Sequence, residues 1–227
     1  MNKKYLDEVK LKLVNGADIN SLDDDGENFL HKAIAQYGKL DVIEYLVNKG
    51  ADIHGKTKNG ETVLHLVIQS TKKNNYSATM KLTKYFLEKS VDVKVKDNLG
   101  NTAMHYLIRH SVNANQSISL ADYLIKAGAR VNATNRKKYT PLHIAAGNNS
   151  YVLCEYLLSN GADPSCKTTG KKTPLLFSVK KCNLEISRLL IERNAQLQKK
   201  IEVEDISLLH AAIESSTQGI DIIRGSF

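Results

Sequence analysis

Histidine recurs at one position of a repeated motif, and imidazole is the side chain best suited to bind a metal or to move a proton near neutral pH. The series runs His31, His65, His105, His143, Leu176 and His210. Its successive members are 34, 40, 38, 33 and 34 residues apart. Ligands of one zinc ion each lie about 2 Å from the metal, which copies separated by a whole repeat cannot do. The series therefore predicts a structural histidine and no metal site.

Other residue types that support catalysis lack the neighbours that catalysis needs. Cys154, Cys166 and Cys182 have no Cys-x-x-Cys spacing and indicate free thiols in a reducing compartment. The carboxylates of residues 23–25 are consecutive, whereas a calcium loop alternates its ligands. The sequence shows no nucleophile beside a recognisable base and no glycine-rich phosphate loop. We therefore expect no catalytic residue, no metal and no cofactor, and we predict that the chain is not an enzyme.

Composition narrows the choice of partner. The 227 residues carry a formal net charge of +8, with 26 lysines and only 6 arginines. A basic chain can bind nucleic acid or an acidic partner. Base readout and phosphate recognition favour arginine, so the excess of lysine argues against nucleic acid. No run approaches the roughly 18 apolar residues of a membrane span, and no apolar stretch follows the basic start as in a secretory signal. We expect a cytoplasmic protein, with the nucleus or a host-cell cytosol as alternatives.

A second series divides each repeat into a constant half and a variable half. It runs Gly16, Gly50, Ser90, Gly128, Gly161 and Asn194. Each member precedes the next histidine position by 15 residues, or by 16 in the last repeat. The distance from a histidine position to the following glycine position ranges from 18 to 25 residues. The constant half is thus expected to specify the fold, and the variable half is expected to carry the features that distinguish this chain from other repeat proteins.

The constant half predicts a helix end, a tight turn and a new helix start. Glycine after an apolar periodic segment is typical of a helix C-terminus. A capping residue lies three positions before each histidine position and is expected to accept a hydrogen bond from the opening amides. These residues are Asn28, Thr62, Thr102, Thr140, Thr173 and Ser207. Lys138, Lys171 and Asp205 stand where other repeats have the turn glycine.

The variable half predicts a second helix, with apolar residues three to four apart, as in Val42, Ile43 and Leu46. Measured against the shortest spacing of 18, one repeat has seven extra residues near 70–77, and the next has five near 110–117. Both segments are polar. We expect two lengthened loops lying side by side on one edge.

These motifs together resemble one family. Thr140-Pro141-Leu142-His143 and Gly161-Ala162-Asp163, repeated in phase over about residues 7–224, are similar to the signature of ankyrin repeats. The resemblance implies an all-α ankyrin-repeat solenoid of stacked helix-turn-helix units joined by β-turn or hairpin fingers. It also implies that the histidine hydrogen-bonds within its own motif and to the neighbouring turn. The predicted boundaries are a partial repeat at 1–22, repeats at 23–56, 57–96, 97–134, 135–167 and 168–200, the second and third of these with insertions, and a truncated repeat at 201–227.

The resemblance further implies a non-catalytic protein–protein interaction module that binds through its turn tips and the concave face of its first helices. The first tip is acidic, at residues 23–27, and later tips are basic. The candidate contact residues are Lys56, Lys58, Lys96, Arg109, Arg136, Lys137, Lys138, Tyr139, Lys171, Lys172, Lys180 and Lys181. The same charges would also keep a repeat array in solution. An alternative function is an adaptor segment of a larger enzyme, toxin or channel whose activity lies outside this chain, since the last repeat stops early, after Ile220–Arg224.

Overall fold

A computed structural model describes residues 2–36, 38–70 and 76–197. These residues form eleven α-helices and no β-strand. A first helix, α1 (Asn2–Val14), precedes five pairs, each made of a short helix and a second helix of equal or greater length. The pairs are α2 (Phe29–Gln36) with α3 (Leu40–Asn48), α4 (Val63–Gln69) with α5 (Tyr76–Glu88), α6 (Ala103–Arg109) with α7 (Ala114–Lys126), α8 (Pro141–Gly147) with α9 (Tyr151–Ser159), and α10 (Pro174–Lys180) with α11 (Leu184–Leu197).

The short helices are buried on nearly every side. In α4 all six residues from Val63 to Ile68 are buried, and α6 and α8 each bury six consecutive residues in the same way. A helix that is apolar all round needs neighbours on all sides. It finds them here, because α4 packs against α2, α5 and α6, and α8 packs against α9 and α10.

The second helices are buried on one side only. In α3, Val42, Ile43 and Leu46 are buried, while Asp41 and Glu44 remain exposed. This three-to-four spacing is the amphipathic pattern of a helix with one face on a core. The exposed face of α3 is therefore polar.

The expectation of two polar loops is wrong for residues 76–77 and 114–117, whereas residues 110–113 do connect α6 to α7 as a non-helical segment. Helices α5 and α7 have 13 residues, against nine in α3 and α9, so positions 76–77 and 114–117 are helical. Asn113 starts α7, because its Oδ1 accepts a hydrogen bond from the amide of Gln116 at 3.1 Å and its carbonyl accepts one from Ser117 at 3.0 Å. Residues 71–75 lie outside the described part, and the placement of the two segments side by side stays a prediction.

The chain divides into two compact units. The first comprises residues up to 112 together with 119–129, and the second comprises 113–118 together with the chain from 130 onward. In the first unit Ile34, Ile43 and Phe86 are fully buried, and in the second Leu142 and Leu157 are. No helix in the described ranges has the length and apolar character to cross a bilayer.

Candidate functional site

A five-residue turn holds each basic or acidic tip. Where the turn begins with Asp or Asn, that side chain accepts from the amides two and four positions later, as Asn135 Oδ1 does from Lys137 and Tyr139, at 3.0 Å each. Asp97 Oδ1 repeats this pattern at Leu99 and Asn101. Where the turn begins with Thr57 or Thr168, the hydroxyl accepts from the amide four positions later. The backbone closes the turn as well, since the amide of Asn135 donates to the carbonyl of Tyr139 at 3.0 Å. Short polar side chains at these positions therefore shape the tips.

Backbone hydrogen bonds join neighbouring tips within each unit. The amide of Lys58 donates to the carbonyl of Asp25 at 3.0 Å, and that of Asn98 donates to Asn59 at 2.9 Å. In the second unit the amide of Thr169 donates to the carbonyl of Lys137 at 3.1 Å. Successive tips thus lie side by side, and a partner that contacts one tip meets the next.

All the predicted basic contact residues are exposed. The first unit holds Lys56, Lys58, Lys96 and Arg109. The second unit holds Arg136, Lys137, Lys138, Lys171, Lys172, Lys180 and Lys181. Within the described residues no ion pair joins any of the seven in the second unit to a carboxylate. Their charges are therefore directed to solvent.

The structure brings the second-unit tips together and gives the first-unit tips a mixed charge. Tips 136–138 and 169–172 are joined as described, and Lys180 and Lys181 end the short helix α10 that follows the second of these tips. In the first unit, Lys58 lies against the acidic tip through its bond to Asp25. There the Nζ of Lys32 pairs with Asp23 at 2.6 Å, and this hydrogen bond lowers the pKa of Asp23.

Two of the repeated histidines, His65 and His143, link their own helix starts to the next turn. His65 Nδ1 accepts a hydrogen bond from the amide of Thr62 at 3.2 Å and contacts the Thr62 hydroxyl at 2.9 Å. Its Nε2 lies 3.0 Å from the carbonyl oxygen of Asn101. His143 makes the same contacts with Thr140 and with the carbonyl of Lys172. These contacts agree with a structural role for the series, and burial lowers the pKa of both imidazoles.

The capping prediction holds in part. Asn28, Thr140 and Thr173 accept a hydrogen bond from the amide three residues later, at 2.9, 3.4 and 3.5 Å. At Thr62 and Thr102 the side chain forms a capping box with the histidine three residues later, and the hydroxyl lies 2.9 Å from the histidine Nδ1 in both. The threonine in this motif therefore orients the imidazole as well as capping the helix. Ser207 lies outside the described residues.

An aromatic cluster in the second unit extends the prediction made for Tyr139. The Tyr139 ring lies 5.4 Å from that of Phe177 and 5.8 Å from that of His143, and the rings of His143 and Phe177 are 5.7 Å apart at 90°. His143 is buried, while Tyr139 and Phe177 are half-buried. Sequence reasoning missed Phe177, which directly follows the position where Leu176 replaces histidine.

A carboxylate network in the first unit was also missed. The hydroxyl of Tyr106 lies 2.9 Å from Glu61 Oε1 and 3.0 Å from Asp97 Oδ2. All three residues are less than 9% exposed. Although burial opposes ionisation of Asp97, its hydrogen bonds with Asn101, Tyr106 and the amide of Leu99 hold its pKa below the usual value. No group of three or more His, Cys, Asp or Glu side chains is arranged to hold a metal ion in the described part.

The tight turn, the short buried helix and the one-sided second helix, repeated five times in the described residues, define a helical repeat protein. A family model described as ankyrin repeats (3 copies) matches residues 1–82, 35–135, 73–168 and 142–224. The chain therefore belongs to the ankyrin-repeat family, and the predicted fold class, an all-α ankyrin-repeat solenoid, is confirmed. Ankyrin repeats are generally protein–protein interaction modules. No protein in the curated collection matches the chain.

Proposed function

We propose that this chain is a non-catalytic interaction module that binds an acidic protein partner in the cytoplasm through its turn tips and the ends of its first helices. The proposed contact set is the one predicted from the sequence, centred on Arg136, Lys137, Lys171 and Lys172. The repeat boundaries predicted from the sequence, from 23–56 through 168–200, are proposed as the units that present this surface.

One observation carries the proposal. The basic side chains of tips 136–138 and 169–172 are all exposed and adjacent, and no ion pair neutralises them within the described residues. Concentrating like charge on one surface opposes folding unless salt or an anionic partner screens it. An acidic partner would supply the missing carboxylates, and charge-assisted contacts of this kind speed association and select against basic proteins.

A charge-reversal variant tests the proposal. The test variant carries Arg136→Glu, Lys137→Glu, Lys171→Glu and Lys172→Glu. Its matched control reverses four exposed lysines on other parts of the repeats, Lys39, Lys49, Lys81 and Lys126. Both variants and the unmodified chain are used for affinity capture from cell lysate with quantitative mass spectrometry, after circular dichroism has shown equal helix content.

We expect acidic proteins captured by the unmodified chain to be retained by the control and lost, by tenfold or more, with the tip variant. Four reversed charges at an interface change affinity by well over 1.4 kcal/mol, the equivalent of tenfold. Capture of the same proteins in the same amounts by the tip variant would contradict the proposal.

A further inference from the structure

The half-buried rings of Tyr139 and Phe177 lie next to the basic tips of the second unit. Arg136, Lys137 and Lys138 directly precede Tyr139 in the chain. Lys172 is held close to the same cluster, because its carbonyl oxygen lies 3.0 Å from Nε2 of His143. The second unit thus combines an aromatic surface with a group of cations on two adjacent tips.

The charge of the chain is concentrated in this region. Residues 130–197 contain eleven basic and four acidic side chains, and residues 198–227 add three basic and five acidic ones, so residues 130–227 have a net charge of +5. Residues 1–129 contain 18 basic and 15 acidic side chains, a net charge of +3. The positive potential that would attract an anionic ligand therefore belongs mainly to the second unit.

The first unit uses the same repeat positions for a different chemistry. Tyr106 occupies the position of Phe177, one residue after the histidine position, and Glu61 occupies the position of Tyr139, one residue before the capping threonine. The Tyr106 ring packs 5.1 Å from that of His65, and its hydroxyl contacts the Glu61 carboxylate. A carboxylate at this place would repel an acidic ligand, so the corresponding surface of the first unit cannot substitute for the second.

We infer that the second unit recognises an acidic segment that carries an aromatic side chain between its carboxylates. The aromatic side chain packs against the edge-to-face cluster of Tyr139 and Phe177, and the flanking carboxylates pair with Arg136, Lys137, Lys171 and Lys172. This inference rests on the proposed function and adds the chemistry of the bound segment. Aromatic pairs of this geometry contribute beyond the area they bury.

Single-stranded nucleic acid fits this surface less well. Its sequence-independent binding needs several aromatic platforms on which successive bases stack. The described part of the second unit offers one cluster, whose rings already contact each other edge-to-face at 5.4 Å. A single aromatic anchor flanked by charges matches one side chain of a peptide.

Synthetic peptides test the inference directly. The first is a fluorescein-labelled peptide with one phenylalanine between two runs of four glutamates, the second has glycine in place of phenylalanine, and an oligothymidylate of equal charge is the third ligand. Fluorescence anisotropy gives their affinities for the full chain and for Tyr139→Ser. Tyr151→Ser is the matched control, since Tyr151 is also half-buried but begins α9 outside the cluster. Phe177→Leu keeps an apolar side chain in the cluster and removes only the ring.

We expect the phenylalanine peptide to bind the unmodified chain about threefold to tenfold more tightly than the glycine peptide. The two affinities should become equal in Tyr139→Ser, move closer together in Phe177→Leu and stay apart in Tyr151→Ser. Equal affinities in the unmodified chain would overturn the inference and leave the proposed function standing, provided that charge reversal still abolishes capture.

Two other results would also overturn it. If neither peptide binds, the inference fails. The proposed function fails as well only if the charge-reversed chain captures the same proteins as the unmodified chain. If the oligothymidylate binds more tightly than the phenylalanine peptide, the surface is suited to nucleic acid rather than to an acidic segment.

Discussion

The buried imidazole of His65 has no room for a second proton. Nε2 of His65 lies against a carbonyl oxygen, which can only accept, so this nitrogen carries the hydrogen. Nδ1 of His65 accepts from the amide of Thr62, so it must be unprotonated. Protonation would place two N–H groups against each other in a site that is 1% exposed. The hydrogen bonds and the burial therefore both favour the neutral imidazole, and one side chain satisfies groups of two repeats.

This arrangement predicts that the protein loses stability in mild acid. Burial lowers the pKa of His65 in the folded state below its usual 6.5, so the unfolded chain binds more protons. The contribution of His65 is complete above about pH 6.5 and decreases as the pH falls. Urea unfolding between pH 8 and pH 5 should show a decreasing free energy of unfolding, with a smaller decrease in His65→Gln. The exposed His54 is the control, and His54→Gln should keep the full dependence. An unchanged dependence in His65→Gln would contradict the assignment.

A contact between two residues can be predicted from the sequence only where the repeated motif contains both residues. The bond between His65 and Thr62 spans three residues and recurs, so a pattern can predict it. The contact between Tyr106 and Glu61 spans 45 residues and joins types that occur together in one pair of repeats only. Phe177 escaped notice for the same reason. The candidate basic residues were predictable because charge at a turn tip is exposed by the geometry of the turn itself.

At the scale of the turn, glycine serves two separate purposes. Gly50 and Gly60 both have left-handed backbone, at φ 91° and 77°. A Cβ on Gly50 would meet nothing within 4 Å, whereas one on Gly60 would lie 2.9 Å from the backbone nitrogen of Asn98 in the next tip. Gly50 is thus needed only for its left-handed backbone. Gly60 also leaves room for the hydrogen bond between its own tip and the next one.

Alanine substitutions separate these purposes. Gly50→Ala should cost about 1 kcal/mol for the left-handed conformation. Gly60→Ala should cost about 2–4 kcal/mol, because overpacking adds about 1–3 kcal/mol to the same conformational cost. Thermal and urea unfolding of the two variants give the difference. Equal losses would show that close approach of the tips contributes nothing to stability.

Two turns carry lysine at the position where other repeats have glycine, and this choice costs stability. Lys138 and Lys171 have φ of 58° and 56°, a region that glycine enters at little cost. We predict that Lys138→Gly raises the free energy of unfolding by about 0.5–1 kcal/mol. Lys137→Gly removes the same charge from the same tip and should be neutral or destabilising, because Lys137 is not left-handed. A gain of equal size in both variants would assign the effect to charge instead of conformation.

The lengthened second helices show why element lengths were harder to predict than element order. The constant spacing between glycine and histidine positions correctly located the turns and the short helices. The extra residues were polar and suggested loops, yet Asn113 caps a helix that starts at Ala114 and runs for 13 residues. Polar residues on a solvent-facing first turn are compatible with either outcome, and the cap decides between them.

Over the whole molecule, charge is distributed unequally between the two units. Ion pairs join Lys12 with Glu8 and Lys32 with Asp23 in the first unit. The exposed cations of tips 136–138 and 169–172 in the second have no such partners within the described residues. Like charges on adjacent tips raise the free energy of the folded state, and this cost depends on ionic strength because the charges are exposed.

Salt should therefore stabilise the second unit more than the first. The screening length is about 30 Å at 0.01 M salt and about 8 Å at 0.15 M, so the repulsion between tips is largely removed over this range. Hydrogen exchange followed by mass spectrometry should show opening free energies in α8 and α10 that rise by several tenths to about 1 kcal/mol, a range typical of exposed charge pairs. Helices α2 and α4 should change less, since the adjacent tips before them carry both acidic residues, Asp23 and Asp25, and the basic Lys58. A second variant, Arg136→Glu with Lys171→Glu, offers the decisive comparison. Because it keeps Lys137 and Lys172, repulsion between the two tips becomes attraction, and added salt should lower protection in α8 and α10. An increase in protection there, equal to that of the unmodified chain, would show that salt acts through apolar burial and that the tip charges do not set the stability of this unit.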